Sequence, residues 1–265
     1  MSSVSVGREK PTMVVPHQPS EHLARVPTAS SEEIARFSRL ADAWWDPRGK
    51  FRPLHQLNPV RVAYIRDVMV RHFDLDPSAS RPLAGLTVVD IGCGGGLATE
   101  ALTRLGARLT GIDASAEAVR VAELHAQREG LDVRYRCAAP EDLAGDGERF
   151  DAVLALEVVE HVADLDRFVQ ACAELRAPGG VLVFATLNRT LKSLALAKIG
   201  AEYVLRWLPA GTHDWRKFVR PSEMAAILRR HGLDVSELTG VTYDPLRRSW
   251  SLSRDLGVNY MGVAV

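Results

Sequence analysis

From Leu86 onward, apolar runs of strand length alternate with longer stretches in which apolar positions recur at helical spacing. Thr87–Ile91, Arg108–Ile112, Val133–Cys137, Ala152–Leu156 and Val181–Thr186 read as five strands. Helices fall between them: Leu97–Leu105, stopped by Gly106; Ser115–Glu129, stopped by Gly130; and Leu165–Arg176, before the turn Pro178-Gly179-Gly180. This alternation predicts an α/β fold whose parallel sheet is covered by helices on both faces. A helix from Pro221 to about Arg230 and strands near Val235–Val241 and Val258–Val265 complete a seven-stranded, mostly parallel sheet. The last strand is expected to be antiparallel, because only a short connection precedes it.

The flanks break this rhythm. Residues 1–29 carry four prolines and no sustained period, which predicts a disordered extension before a single domain over 30–265. Within it, 30–80 read as a helical cap. Ser30-Ser31-Glu32-Glu33 is a capping box feeding a helix over Ile34–Trp45, and a second helix, Val60–Phe73, has Pro59 at its first turn. Trp44 and Trp45 cannot share one helix face, so one packs on the core while the other lines a pocket, unless both are core. Residues 187–220 form an inserted segment that is apolar and basic at once. Leu191, Leu194, Leu196, Ile199, Tyr203 and Trp207 lie among Arg189, Lys192, Lys198, Arg206, Arg216, Lys217 and Arg220, with only Glu202 and Asp214 opposing. Two readings fit: a lid packed on the core, or an amphipathic surface resting on anionic lipid.

Composition adds little to this picture. Lys+Arg and Asp+Glu both number 33, so net charge points to no nucleic-acid partner. Cys93, Cys137 and Cys172 form no C-x-x-C pair and read as reduced thiols, which suits the cytoplasm. No apolar run reaches the roughly 18 residues of a membrane span.

The candidate chemistry centres on Asp90-Ile91-Gly92-Cys93-Gly94-Gly95-Gly96. Glycines there permit positive φ and let a ligand approach the backbone at a helix start. A dinucleotide fingerprint would need a third glycine where Leu97 stands, which weighs against NAD. Asp90 and Asp113, ending the next strand, suit a ligand with an ammonium group and a ribose diol, and S-adenosylmethionine has both. An NAD-dependent oxidoreductase remains a distant alternative. After strand 4, Glu157, Glu160 and His161 project toward the same crevice. Two carboxylates and an imidazole could hold a divalent metal, supply a general base, or merely cap the next helix. His213 is a second candidate base.

With these residues in hand, the chain resembles a Rossmann-like class I S-adenosylmethionine methyltransferase. Trp44-Trp45-Asp46-Pro47, Leu57-Asn58-Pro59-Val60-Arg61, the glycine loop, Thr186-Leu187-Asn188-Arg189, Gly211-Thr212-His213-Asp214 and Val258-Asn259-Tyr260-Met261 are similar to the ubiquinone-biosynthesis O-methyltransferase family over roughly 31–262. That resemblance implies methyl transfer to a ring hydroxyl of polyprenylated catechols and demethylubiquinol. It implies a cofactor site lined by Arg61, Gly92, Asp113 and Leu156. It also implies a divalent metal, Mg²⁺ in first place, on Glu157, Glu160 and His161. Loose association of 187–220 with the inner face of the bacterial membrane, and contact with other enzymes of the pathway, follow from the same likeness. Within the cofactor site, Asp113 is expected to accept from both ribose hydroxyls and Asp90 to read the ammonium group. Gly92 and Gly94 make room for the methionine portion, Glu141 and Asp142 flank the adenine, and Arg61 pairs with the carboxylate. A metal on both catechol oxygens would stabilise the phenolate; without it one of Glu157, Glu160 and His161 would act as general base. Two rivals remain: a methyltransferase of another phenol and a noncatalytic cofactor-binding module.

Overall fold

The computed structural model of the 265-residue chain describes residues 39, 41–195 and 215–265. The expected extension 1–29, the capping box at Ser30–Glu33, most of the helix before Trp45, His213 and positions 196–214 of the insert lie outside them.

One eight-stranded sheet organises the described residues. Its strands are β1 (Thr87–Ile91), β2 (Arg108–Asp113), β3 (Arg134–Cys137), β4 (Phe150–Leu156), β5 (Arg176–Leu187), β6 (Val235–Asp244), β7 (Ser249–Ser253) and β8 (Asn259–Ala264). They lie in the order β3-β2-β1-β4-β5-β8-β6-β7. The first five are parallel, and β8 runs antiparallel to both β5 and β6. Period-two alternation sorts the apolar side chains onto the two faces. Val88, Ala152, Leu154 and Val183 join one core with the helix Arg52–His72, while Val89, Ile91, Val153 and Ala155 join a second with Phe168, Val169 and Leu228.

Two expectations need correction. The sheet has eight strands, not seven, because Ser249–Ser253 pairs with β6 as a hairpin at the sheet edge. Its sequence, Ser-Trp-Ser-Leu-Ser, has no buried residue, and what makes it a strand is the partner and a turn in which Asp244 accepts from the backbone of Leu246 and Arg247. The helix predicted over Val60–Phe73 begins at Arg52, with Pro53 in its first turn and Pro59 inside. An internal proline costs roughly 3 kcal/mol. Burial of Leu57, Tyr64, Ile65, Val68, Met69 and Val70 on the face toward the sheet, at about 2 kcal/mol each, outweighs it.

The strand order reverses between β1 and β4, because β1 leads outward to β2 and β3 while β4 leads the other way to β5. In an open parallel sheet, ligands bind outside the carboxyl ends of the strands at this switch. Here those ends are Ile91, followed by the glycine loop, and Leu156, followed by Glu157.

Candidate active site

The glycine loop owes its shape to backbone geometry that only glycine adopts freely. Gly92, Gly94 and Gly96 have φ of 73°, 54° and 90°, and Gly96 caps the helix Leu97–Arg104. A Cβ on Gly92 would press into Val158, and one on Gly96 would overlap the hydroxyl of Tyr135. The loop is pinned to β2, where the backbone amides of Gly92 and Cys93 both donate to the carbonyl of Ile112 (2.8 and 3.0 Å).

Both acids of the expected cofactor site stand beside it. Asp113 accepts from the amide of Gly94 through Oδ2 (3.0 Å) and from that of Ser115 through Oδ1 (2.8 Å), so it ties the loop to the start of the next helix. Asp90 is buried and accepts from the hydroxyl of Thr99 (2.6 Å). Burial pushes its carboxyl up to about 6, against the pull of Thr99 and of the Arg61 charge. Arg61 is buried on the helix Arg52–His72, with Nη2 3.7 Å from Glu157 Oε1 and no hydrogen-bond partner for that nitrogen.

Leu156 is buried at the end of β4, and the chain then turns sharply. Glu157 has φ of 55°, left-handed and strained for a residue with a Cβ, while its amide donates to Ala185 of β5 (2.9 Å). This turn sends Glu160 inward, where Oε2 accepts from Thr186 (2.8 Å) and Oε1 is buried without a partner. Burial, with repulsion from Glu157, pushes the Glu160 carboxyl up to about 8. His161, one residue on, has an exposed side chain.

The expected three-residue metal set is therefore not assembled. Glu157 and Glu160 face each other electrostatically, but His161 is on the solvent side, and among the described residues no three His, Cys, Asp or Glu side chains are placed to hold an ion. The donor set does not fit a cation shared by all three. Glu141 and Asp142 open the helix Pro140–Gly145 beyond β3, and Asp142 is already used as a cap, accepting from the amide of Ala139 (2.9 Å).

Several residues of the site were not singled out by the sequence. Thr99 carries no local motif, and Thr186 enters only within Thr186-Leu187-Asn188-Arg189 with no role attached, yet their hydroxyls hold the two buried acids. They are found only by asking which donors the fold brings to Asp90 and Glu160. The paired tryptophans stand out in the sequence, but their partner does not: both contact the glycine loop, Trp44 by its ring and Trp45 by a hydrogen bond to the carbonyl of Gly95 (3.1 Å).

A glycine loop after β1, an acid ending β2 and a switch point between β1 and β4 are features that S-adenosylmethionine-dependent methyltransferases share with other Rossmann-like nucleoside-binding folds. A family profile described as a methyltransferase domain matches residues 89–184. The fold is shared with the magnesium protoporphyrin IX methyltransferase of Synechocystis PCC 6803, solved with bound SAH, at a TM-score of 0.59 and 23% identity over 87% of this chain and 94% of that one. More specifically, the chain is 55% identical over 241 residues to the ubiquinone biosynthesis O-methyltransferase of Chelativorans sp. (strain BNC1), covering 91% of this chain and 95% of that one. It is 56% identical over 236 residues to the protein of the same name from Methylobacterium sp. (strain 4-46), covering 89% and 94%. The chain belongs to the ubiquinone biosynthesis O-methyltransferase family.

Proposed function

We propose that this enzyme transfers the methyl group of S-adenosylmethionine to a ring hydroxyl of polyprenylated catechol and demethylubiquinol intermediates. The observation that carries the chemistry is the partnerless, buried Oε1 of Glu160, just past the carboxyl end of β4, with its other oxygen held by Thr186 of β5. Methyl transfer is an in-line displacement at a sulfonium and needs a phenolate, whose proton must leave first. A catechol hydroxyl ionises well above neutral pH. A carboxyl raised to about 8 is a closer match to it than an ordinary carboxylate, and is therefore the better base. Glu160 in its ionised form accepts the proton on Oε1, Thr186 steadies Oε2, and Arg61 offsets the two neighbouring negative charges.

On the cofactor side, Gly92 and Gly94 admit the methionine portion, Asp90 reads its ammonium and Arg61 its carboxylate. Asp113 takes the ribose hydroxyls, Leu156 shapes the wall beside them, and Glu141 and Asp142 flank the adenine. Methyl transfer needs no His161 ligand in this scheme. A divalent ion held by Glu157, Glu160 and His161 together would require His161 to swing inward; with Glu160 acting as the base instead, activity survives thorough chelation, and its loss would overturn that scheme.

The prenyl group is read from the apolar insert at 187–220, which also supports contact with an anionic bilayer on its cytoplasmic side and proximity to enzymes handling the same lipid. Of its described ends, Leu191 is 78% exposed, while Arg189 and Lys192 are engaged by Glu223 and Asp255. No helix among the described residues is long and apolar enough to cross a membrane.

The experiment is methyl transfer to a prenylated and an unprenylated catechol, with and without chelator, by the wild type and Glu160→Gln. Preference for the prenylated substrate and at least a hundredfold loss of kcat in the variant are expected. Equal rates on both catechols would overturn the substrate reading, and an unchanged kcat would overturn the base.

A further inference from the structure

The paired tryptophans have no part in the scheme above, yet both lie on the glycine loop. The indole of Trp44 lies against Gly94 and Gly95, filling the space where side chains at those positions would stand. It is backed by Phe51 at a centroid distance of 4.0 Å, and its Nε1 is buried without a hydrogen-bond partner. Trp45 is differently held. Its Nε1 donates to Gly95 (3.1 Å), and its ring stacks on His125 at 3.5 Å and 3°. His125 Nδ1 is in turn 2.8 Å from Glu100 Oε1, and Glu100 is fully buried in the helix that starts from the loop. One indole is fully satisfied and cross-braced; its neighbour has an N–H with nothing to give it to.

A buried donor left unpaired beside a ligand loop is costly and is retained where a ligand completes it. An indole nitrogen only donates, so its partner must be an acceptor. We propose that Trp44 and Trp45 clamp the glycine loop, Trp45 as the fixed anchor and Trp44 as a roof whose Nε1–H is completed by the carboxylate of the methyl donor's amino-acid arm. Trp44 thereby sets cofactor affinity together with Arg61. This rests on the glycine loop being the cofactor site. It explains why Gly94 and Gly95 must both lack side chains: an alanine at either would displace the indole as well as the ligand.

The test is titration of the full-length protein with S-adenosylhomocysteine, read by tryptophan fluorescence and by calorimetry. It is run on the wild type, Trp44→Phe and Trp45→Phe, alongside steady-state kinetics and melting curves. Phenylalanine keeps a ring on the loop and removes the donor. Binding is expected to change the emission of the wild type. Trp44→Phe should lose most of that change, although four of the five tryptophans remain. It should also weaken affinity about tenfold and raise the KM for S-adenosylmethionine by a similar factor, with a much smaller change in kcat. Trp45→Phe should keep the signal and lower the melting temperature of the ligand-free protein. Unaltered affinity in Trp44→Phe, or a loss of affinity that only tracks lost melting temperature in both variants, overturns the clamp. A wild type that does not bind S-adenosylhomocysteine would instead overturn the cofactor site itself.

Discussion

Replacing Asp90 separates what the cofactor site costs the fold from what it contributes to binding. Burial raises the Asp90 carboxyl from 3.8 to about 6. At about 1.4 kcal/mol per pH unit, that shift makes the ionised group cost the folded, ligand-free protein about 3 kcal/mol near neutral pH. The folded state holds this proton more tightly than the unfolded chain. Its stabilising contribution is therefore complete below pH 3.8, is lost as pH rises toward about 6, and is absent at pH 7. Asp90→Asn keeps an oxygen for the Thr99 hydroxyl and never ionises. The variant should unfold at higher urea than the wild type at pH 7, by up to about 3 kcal/mol, and the advantage should shrink toward pH 4. If Asp90 reads the ammonium as proposed, affinity for S-adenosylhomocysteine should fall at least tenfold on loss of the carboxylate. Glu100 and Glu160 are also raised by burial and titrate in both proteins, so the difference between the two curves carries the test. A variant that is less stable at pH 7 and keeps the wild-type pH slope refutes the reasoning.

Other perturbations reach different parts of the site. Thr186→Val removes the donor to Glu160 Oε2 and with it a bond that favours the charged form, so the limb of the kcat profile that rises through about pH 8 should move to higher pH. An unmoved limb would separate Glu160 from the reaction. Gly96→Ala combines left-handed strain of about 1 kcal/mol with overpacking against Tyr135 of about 1–3 kcal/mol, which should appear as a lowered melting temperature. Asp113→Ala releases both the Gly94 and Ser115 amides, and calorimetry should show weaker cofactor binding; normal affinity would remove Asp113 from the ribose.

How much of this was legible beforehand differs by element. The parallel strands, the glycine turn and the helix stops were, because each rests on a few adjacent residues: β-branched runs, glycines with positive φ, and helix-stopping glycines such as Gly106 and Gly130. Asp90 and Asp113 could be placed for the same reason, as residues at or near strand ends beside a turn. The resemblance added the substrate class, which no local pattern carries.

The remainder depends on contacts between residues far apart in the chain. Ser249–Ser253 becomes a strand because β6 offers it an edge, and Pro59 stays inside a helix because six apolar side chains find the sheet below. The metal expectation foundered in the same way. Their closeness in the chain after strand 4 pointed Glu157, Glu160 and His161 toward one crevice, but Glu157 adopts a left-handed turn bonded to β5, which draws Glu160 to Thr186 and leaves His161 outside. Trp44 and Trp45 show the limit most plainly. Helical spacing says they diverge, but only the packed fold brings both to the glycine loop some 50 residues away. Spacing along the chain determines backbone conformation over a turn or a strand; the partner of a buried polar group is chosen by whichever distant element the sheet places beside it.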